Sequence, residues 1–498
     1  MNVLLVYPQY PDTYWSFRNA LRFISKRAAF PPLGLITIAA LLPSSWSKRL
    51  VDMNVSALSL ADLQWADYVF ISAMSIQRKS AKELIELCVQ HGKTVVAGGP
   101  LFTQDAADFS QVNHFVLNEG EITLPLFLSD IANGNRVQSI YSTSCFADIT
   151  KSPVPDYHLL VRKHYASMSL QITRGCPFAC DFCEITSLLG HRVRMKSIDQ
   201  VVKELEMLYR LNWRGSVFIV DDNFIGNKRI VRDELLPEMR SWMQNHGYPF
   251  SFHTQASINL ADDDELLEMM VDSGFSSVFI GIETPADESL AACNKKQNQD
   301  RDLISSVKHI QKSGLEVSGG FIVGFDSDTS SIFQRQVDFI QKSGIVSAMV
   351  GLLNAPKNTA LYNRLLGEHR LISEQTGNNT DLDVNFIPKM NLAELIGGYK
   401  SMISSIYSAK PYYKRVREFM RSYQRRSKCK RRFEFNNLQT LAKSIYILGV
   451  KNVERFEFWK LLFWTLANRP KLLLDALAFA VYGYHYRSVY GLMGRRQA

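Results

Sequence analysis

Residues 167–185 read Ser-Met-Ser-Leu-Gln-Ile-Thr-Arg-Gly-Cys-Pro-Phe-Ala-Cys-Asp-Phe-Cys-Glu-Ile. A strand-like run, Ser167–Thr173, feeds a loop that carries Cys176, Cys180 and Cys183 in a C-x3-C-x2-C spacing. Thiolates are the ligands of iron–sulfur clusters, and a [4Fe–4S] cluster normally takes about four of them. This loop offers three and no obvious fourth. A cluster held here keeps one iron open to something that is not protein. Zinc stays open on spacing alone: it wants about four N/S ligands, and His191 follows Cys183 by eight residues. A disulfide is a weaker alternative. The cysteines number seven, an odd count, and no secretory signal is visible, so the expected compartment is reducing and cytoplasmic.

Downstream of the loop, short apolar runs alternate with helical stretches. Ser216–Val220, Phe250–Ser257, Ser277–Ile282, Val317–Val323 and Ser347–Leu353 read as further strands. Helical segments near 198–212, 229–246, 262–272, 300–313 and 330–343 separate them. Six βα units over 155–365 predict a partial barrel with its site at the C-terminal strand ends. Those ends carry Asp221-Asp222-Asn223, Ser257 and Asn259, Gly281-Ile282-Glu283-Thr284, Gly319-Gly320-Phe321-Ile322-Val323-Gly324, and Leu353-Asn354-Ala355-Pro356. The adjacent acids Asp221 and Asp222 suit an ammonium or a ribose hydroxyl, or they cap the following helix. The G-G-x-x-x-G run lacks the Lys-Ser or Lys-Thr of a phosphate loop.

Upstream, Val3–Tyr7, Arg49–Met53, Tyr68–Ala73, Thr94–Ala97 and Phe115–Leu117 read as buried parallel strands, with helices over Leu33–Leu42, Gln77–His91 and Glu121–Asn133. Residues 1–150 therefore predict a doubly wound sheet, which takes ligands beyond the carboxyl ends of its strands. Ser72, Met74, Gly98, Gly99, Glu119 and Gly120 stand there. Gly98-Gly99 lets the backbone approach a ligand, though a glycine pair after a strand also serves as an ordinary turn.

Composition is ordinary for a globular protein: 498 residues, 46% hydrophobic and 21% charged. The net charge of +9 is local. Residues 414–432 hold Lys414, Arg415, Arg417, Arg421, Arg425, Arg426, Lys428, Lys430, Arg431 and Arg432 against Glu418 alone. A single basic patch argues against general capture of nucleic acid. Residues 385–498 read as helical, and an aromatic stretch follows the patch: Phe456, Phe458, Trp459, Phe463 and Trp464. No apolar span there reaches the roughly 20 residues that cross a bilayer. Peripheral membrane contact through 414–498 stays open, as does simple packing over the barrel's open side.

The cysteine spacing, with Phe182 before the third cysteine, resembles the radical S-adenosylmethionine (SAM) superfamily. Pro31-Pro32-Leu33-Gly34-Leu35, Gly98-Gly99-Pro100 and Glu119-Gly120-Glu121 resemble the cobalamin-binding domain that precedes many radical SAM domains. Cys183-Glu184-Ile185-Thr186, Arg192–Ser197, Val220–Asn227 and Gly281–Pro285 resemble the branch that includes the hopanoid C-2 methylase. The resemblance covers nearly the whole chain. It implies an α/β fold with a Rossmann-like cobalamin domain (1–150), a partial (β/α)6 barrel (155–365) and a helical C-terminal region (385–498). The implied cofactors are a [4Fe–4S] cluster on Cys176, Cys180 and Cys183, SAM, and cobalamin. SAM contacts carry over to Phe182, Asp221, Asp222, Asn223, Ser257, Asn259, Glu283, Gly320 and Val323. Cobalamin contacts carry over to Pro32, Gly34, Ser72, Met74, Gly98, Gly99, Glu119 and Gly120. Many cobalamin proteins ligate cobalt with a histidine in an Asp-x-His-x-x-Gly loop; here the first histidine is His91, so a lower face without a histidine ligand is expected.

The implied reaction is methylation of an unactivated carbon. A radical from one SAM removes a substrate hydrogen, and methylcobalamin, recharged by a second SAM, supplies the methyl group. The expected partners are a small-molecule or lipid-like substrate and a reductant such as flavodoxin or ferredoxin. A rearrangement or cyclisation without methyl transfer, and a non-catalytic cobalamin or redox sensor, are the alternatives. No catalytic acid or base is nominated, because radical abstraction needs none.

Overall fold

The computed structural model describes residues 1–426, 428–429 and 435–492, with the backbone alone for 435–438. The first sheet joins β1 (Asn2–Tyr7), β2 (Ser47–Asp52), β3 (Tyr68–Ser72), β4 (Thr94–Gly98), β5 (His114–Val116) and β6 (Ile140–Tyr141). All pairs are parallel, in the order β2-β1-β3-β4-β5-β6. Alternate residues of β1 explain the two layers. Val3 and Leu5 pack with Leu35, Ala39, Leu124 and Phe127 on one face. Leu4 and Val6 pack with Ala81, Leu84, Ile85 and Phe102 on the other. Strand order reverses between β1 and β3, which opens a crevice beyond their carboxyl ends. β6 was not foreseen: its two residues carry too little pattern to read.

The second sheet runs β7 (Met168–Leu170), then, after a hairpin of β8 (Thr173–Arg174) and β9 (Arg194–Met195), β10 (Gly215–Ile219), β11 (Phe250–Gln255), β12 (Phe275–Glu283), β13 (Glu316–Val323) and β14 (Ala348–Leu352). Six parallel strands stand in the order β14-β13-β12-β11-β10-β7, with β7 and β14 as free edges. The expected first strand, Ser167–Thr173, is thus split. Its end turns away into the hairpin, where Thr173 pairs with Met195 and Arg174 with Arg194. The cysteine loop is the excursion that this hairpin closes.

The C-terminal helices satisfy the open edge. Along β14 and the residues before it, the carbonyls of Val346, Ala348 and Val350 recur at the two-residue spacing of one strand edge. Arg415 donates to the first at 3.2 Å, Tyr407 to the second at 2.6 Å and Tyr399 to the third at 3.1 Å. These donors come from helices Leu392–Tyr407 and Ala409–Ser422. An unpaired edge is a template for aggregation, and here side chains cover it.

This packing corrects the reading of the basic run. Arg415 is fully buried, Arg425 pairs with Asp475, Lys428 with Asp272, and Arg421 with Glu418. Lys430, Arg431 and Arg432 lie outside the described residues. Among the described residues, no helix is long and apolar enough to cross a membrane.

Candidate radical and cofactor site

The cysteine loop leaves the C-terminal end of β7, where a barrel places its site. Gly175 turns the chain at φ +93°, and a Cβ there would lie 2.7 Å from the Arg192 carbonyl oxygen. Only glycine fits that approach. Cys176, Cys180 and Cys183 are all partly exposed and unpaired. Burial pushes the Cys183 thiol up to about 12, and its neighbours Cys180 and Cys176 push the same way. The three thiols are neighbours, yet among the described residues no cysteine group has its sulfurs within 4.8 Å of one another. A tetrahedral zinc would need sulfurs about 3.8 Å apart, from Zn–S bonds of about 2.3 Å. His191 is exposed. The arrangement suits a cluster better than a single ion.

Asp221 is a correction. Its carboxylate accepts from the Ile172 amide at 2.8 Å, the Thr173 amide at 2.9 Å and the Thr173 hydroxyl at 2.8 Å. It is fully buried, with both oxygens already bonded to the chain; its task is to hold the chain entering the cysteine loop. Burial pushes its carboxyl up to about 6, against the pull of those donors. Asp222 is the opposite case. Its Oδ2 is buried with no partner, and burial, with Asp221 beside it, pushes the carboxyl up to about 7. An arriving ammonium would complete it.

The other strand-end residues divide in the same way. Asn223 Oδ1 accepts from the Ser257 amide at 3.2 Å, and the Ser257 hydroxyl donates to Asn259 at 2.6 Å. The three form one network across β10 and β11. Val323 turns its side chain fully into the core, so it offers a ligand no side chain. A Cβ on Gly320 would lie 2.8 Å from the Phe279 ring, so the glycine makes room for that ring. Glu283 adopts φ +62° at a register shift in β12, a backbone conformation that costs a non-glycine residue about 1 kcal/mol or more.

What sequence reading missed is the segment 293–298, which clamps the cysteine loop. Asn294 donates to the Ala179 carbonyl at 2.8 Å, and the Asp181 amide to the Cys293 carbonyl at 3.1 Å. Gln297 reaches the Cys180 sulfur at 3.6 Å. Lys295 donates to Glu283 at 2.7 Å and sits 5.9 Å from the Phe182 ring centroid. Burial alone would depress the Lys295 ammonium, but Glu283, Cys180 and Cys183 outweigh it and hold it above its usual value.

A second unforeseen set joins the two sheets. Arg194 meets Glu119 at 2.7 and 2.8 Å, and Arg174 meets Glu121 at 2.7 and 3.1 Å. Burial would raise the Glu121 carboxyl, but Arg174 outweighs it and holds it at about 2. Glu119 is therefore also a correction: its carboxylate ties the N-terminal sheet to the cysteine hairpin and is not free for a ligand. Gly120 serves packing, since a Cβ there would strike Ile38 at 2.4 Å. Gln104 adds a bond to Glu184 at 2.9 Å.

The remaining residues stand at the carboxyl ends of the strands, where a Cβ on Gly98 would lie 2.5 Å from the Val116 carbonyl oxygen and one on Gly99 2.6 Å from the Ser72 hydroxyl oxygen. Pro32 and Gly34 open helix Leu33–Leu41 after β1, and a Cβ on Gly34 would meet nothing within 4 Å. Ser72 and the exposed Met74 end β3. Gly98 ends β4, and Gly99 follows at φ +88°. His91 and His114 stand instead at the N-terminal ends of β4 and β5, the far side of the sheet.

The radical SAM superfamily matches residues 170–340, and a domain of unknown function, DUF4070, matches 359–498. An uncharacterized methyltransferase of Synechocystis sp. is 41% identical over 493 residues, covering 98% of this chain and 91% of that protein. The hopanoid C-2 methylase of Rhodopseudomonas palustris is 32% identical over 473 residues, covering 92% and 88%. The chain belongs to the cobalamin-binding radical SAM family. Its fold is that of the cobalamin-dependent SAM radical enzyme OxsB, with a TM-score of 0.64 at 14% identity over 100% of this chain and 82% of that one. It also resembles the radical SAM methyltransferase TsrM of Kitasatospora setae, with a TM-score of 0.59 at 15% identity over 80% and 85%.

This radical SAM protein is accordingly an enzyme whose cofactors are a [4Fe–4S] cluster, SAM and cobalamin. The residues present fit all three. Cys176, Cys180 and Cys183 would hold the cluster. The orphaned Asp222 oxygen and the Glu283–Lys295 pair would meet the polar groups of SAM. The strand-end edge with the open Gly34 and the exposed Met74 would take the corrinoid without a histidine. Lys295→Met is expected to lower the cluster's midpoint potential by on the order of 100 mV, the effect of losing one nearby unit charge at an effective dielectric of about 20. Redox titration of the reconstituted protein measures it. The double variant Lys295→Met/Glu283→Gln, which leaves no buried carboxylate unpaired, separates charge from folding.

Proposed function

We propose that this enzyme methylates an unactivated carbon of an apolar, lipid-like substrate held in the barrel. The observation that carries the reading is a set of aromatic side chains that face the barrel interior and yet stay partly exposed. In β10, β11 and β12 the residues Val217, Ile219, Phe252, Thr254, Val278 and Ile280 are buried among the outer helices. Alternation therefore turns Phe218, His253 and Phe279 inward, where they stay partly exposed. A packed interior would bury them; an interior with room for a ligand does not.

The N-terminal region contributes two more rings. Phe30 lies 4.9 Å from Phe218, and Trp15 lies 5.3 Å from Phe279. His253 stacks on Phe218 at 5.0 Å and contacts the Ser216 hydroxyl at 3.2 Å. Burial pushes its imidazole down to about 4, so it is neutral at physiological pH. The lining thus carries no full charge among these residues and suits a large apolar body with few polar groups. The hopanoid C-2 methylase is among the relatives, which agrees with a lipid-like substrate.

When bound, the cluster, SAM and cobalamin supply hydrogen abstraction and a methyl group. The chain's own residues orient and exclude. The Cys293–Asn298 clamp holds the cysteine loop over the barrel end, and Glu119 and Glu121 hold the N-terminal crevice against the same loop. Rings around the substrate keep water from a reactive carbon. A flavodoxin or ferredoxin as electron donor completes the scheme.

Reaction with SAM carrying a CD3 methyl group tests the proposal. Deuterium on a carbon of the product is expected. Product without deuterium would leave rearrangement or cyclisation, and protein that fails to cleave SAM under reducing conditions would leave the sensor reading.

A further inference from the structure

A lipid-like substrate has to be met at a bilayer, and one face of the C-terminal region has the chemistry to do so. Helix Arg455–Asn468 carries apolar side chains on two opposite faces, one buried and one exposed. Phe458, Leu461, Leu462 and Thr465 are buried against the helices Ala409–Ser422 and Leu473–Val489. The opposite stripe, at helical spacing, carries Phe456, Lys460 and Phe463. Phe456 is 74% exposed and Phe463 63% exposed. Val450, in the π-helix Ile445–Lys451, and Val453, in the turn that follows it, are also exposed. Arg455 stands over the Phe456 ring at 5.1 Å.

Leaving two phenylalanines in water forgoes the free energy their burial would release. Such side chains, standing out from a helix and flanked by cations, are the pattern of a helix that lies in a membrane interface. We infer that Val450, Val453, Phe456 and Phe463, with Arg455 and Lys460, form the face by which this enzyme docks on an anionic lipid bilayer. The face differs from the basic run at 414–432, much of which the fold consumes internally. A second copy of the chain is the poorer occupant. Two-fold pairing of this face would bring Arg455 and Lys460 towards their own counterparts, like against like, whereas anionic headgroups complement both. The inference builds on the lipid-like substrate above.

Vesicle flotation tests it, with phosphatidylcholine alone and with added phosphatidylglycerol. The wild type is expected to float with the anionic vesicles, and Phe456→Ser/Phe463→Ser to lose about tenfold or more of that binding. Arg455→Glu/Lys460→Glu is expected to lose the preference for phosphatidylglycerol and its salt sensitivity. Wild type that ignores both vesicles overturns the inference. So does a phenylalanine variant that floats as well as wild type, or a wild-type dimer that this variant splits without any vesicle binding. Circular dichroism and reductive SAM cleavage confirm that the variants fold. Methyl transfer to substrate in detergent micelles is scored separately, so failure to dock and failure of the methylation reading are told apart.

Discussion

Cys180→Ala is expected to strip the reconstituted enzyme of its visible cluster absorbance and to reduce SAM cleavage to the level of buffer. A [4Fe–4S] cluster with one open iron already has the minimum of protein ligands, and two thiolates leave two irons without protein ligands. The change should leave the fold intact. Cys180 is only partly buried, and its sulfur accepts a long bond from Gln297 at 3.6 Å. Iron and sulfide analysis beside a thermal melt therefore separates cluster loss from unfolding. A full cluster in the variant would refute the ligand assignment.

The second large effect falls on a residue that sequence reading assigned to SAM. Asp221→Ala is expected to cost about 3 kcal/mol of stability, because it orphans buried donors on Ile172 and Thr173 that now bond a carboxylate. Denaturant unfolding measures the loss. Asp222→Ala removes a carboxylate oxygen that has no partner, so it should leave stability nearly unchanged and weaken SAM binding instead. Calorimetry with SAM on both variants, at a temperature where both are folded, tests the division. Equal stability losses would erase the distinction between the two neighbours.

The contrast between Asp221 and Asp222 marks where sequence reading stops. Both stand at a predicted strand end, and nothing in their order says which turns inward. The strands themselves were legible. Tyr68–Ala73 was expected and Tyr68–Ser72 is found; Val317–Val323 was expected and Glu316–Val323 is found. Buried parallel strands write themselves as short apolar runs, and the helices between them as 3.6-residue periods. The hairpin β8–β9 and the strand β6 escaped because each has only two residues.

The partners were not legible at all. Glu119 meets Arg194 across 75 residues, and Gln297 meets Cys180 across 117. By sequence Glu119 reads as a cobalamin contact because it stands at a strand end in a recognisable Glu-Gly-Glu. Which ligand edge points at which cysteine depends on how the two sheets dock, and that leaves no local trace.

The sequence by itself determined the cluster ligands' spacing, the succession of βα units, and the absence of a histidine at the N-terminal ligand edge. Each is a property of residues close along the chain, where covalent geometry dictates what is near. The tertiary structure alone decided that Glu119 is an anchor, that Lys295 stands at the cysteines, that Phe218, His253 and Phe279 stay partly exposed, and that Phe456 and Phe463 stand in water. Each of those follows from the curl of a sheet or the docking of one layer on another. Burial and electrostatics act through space, between residues that the chain order keeps far apart.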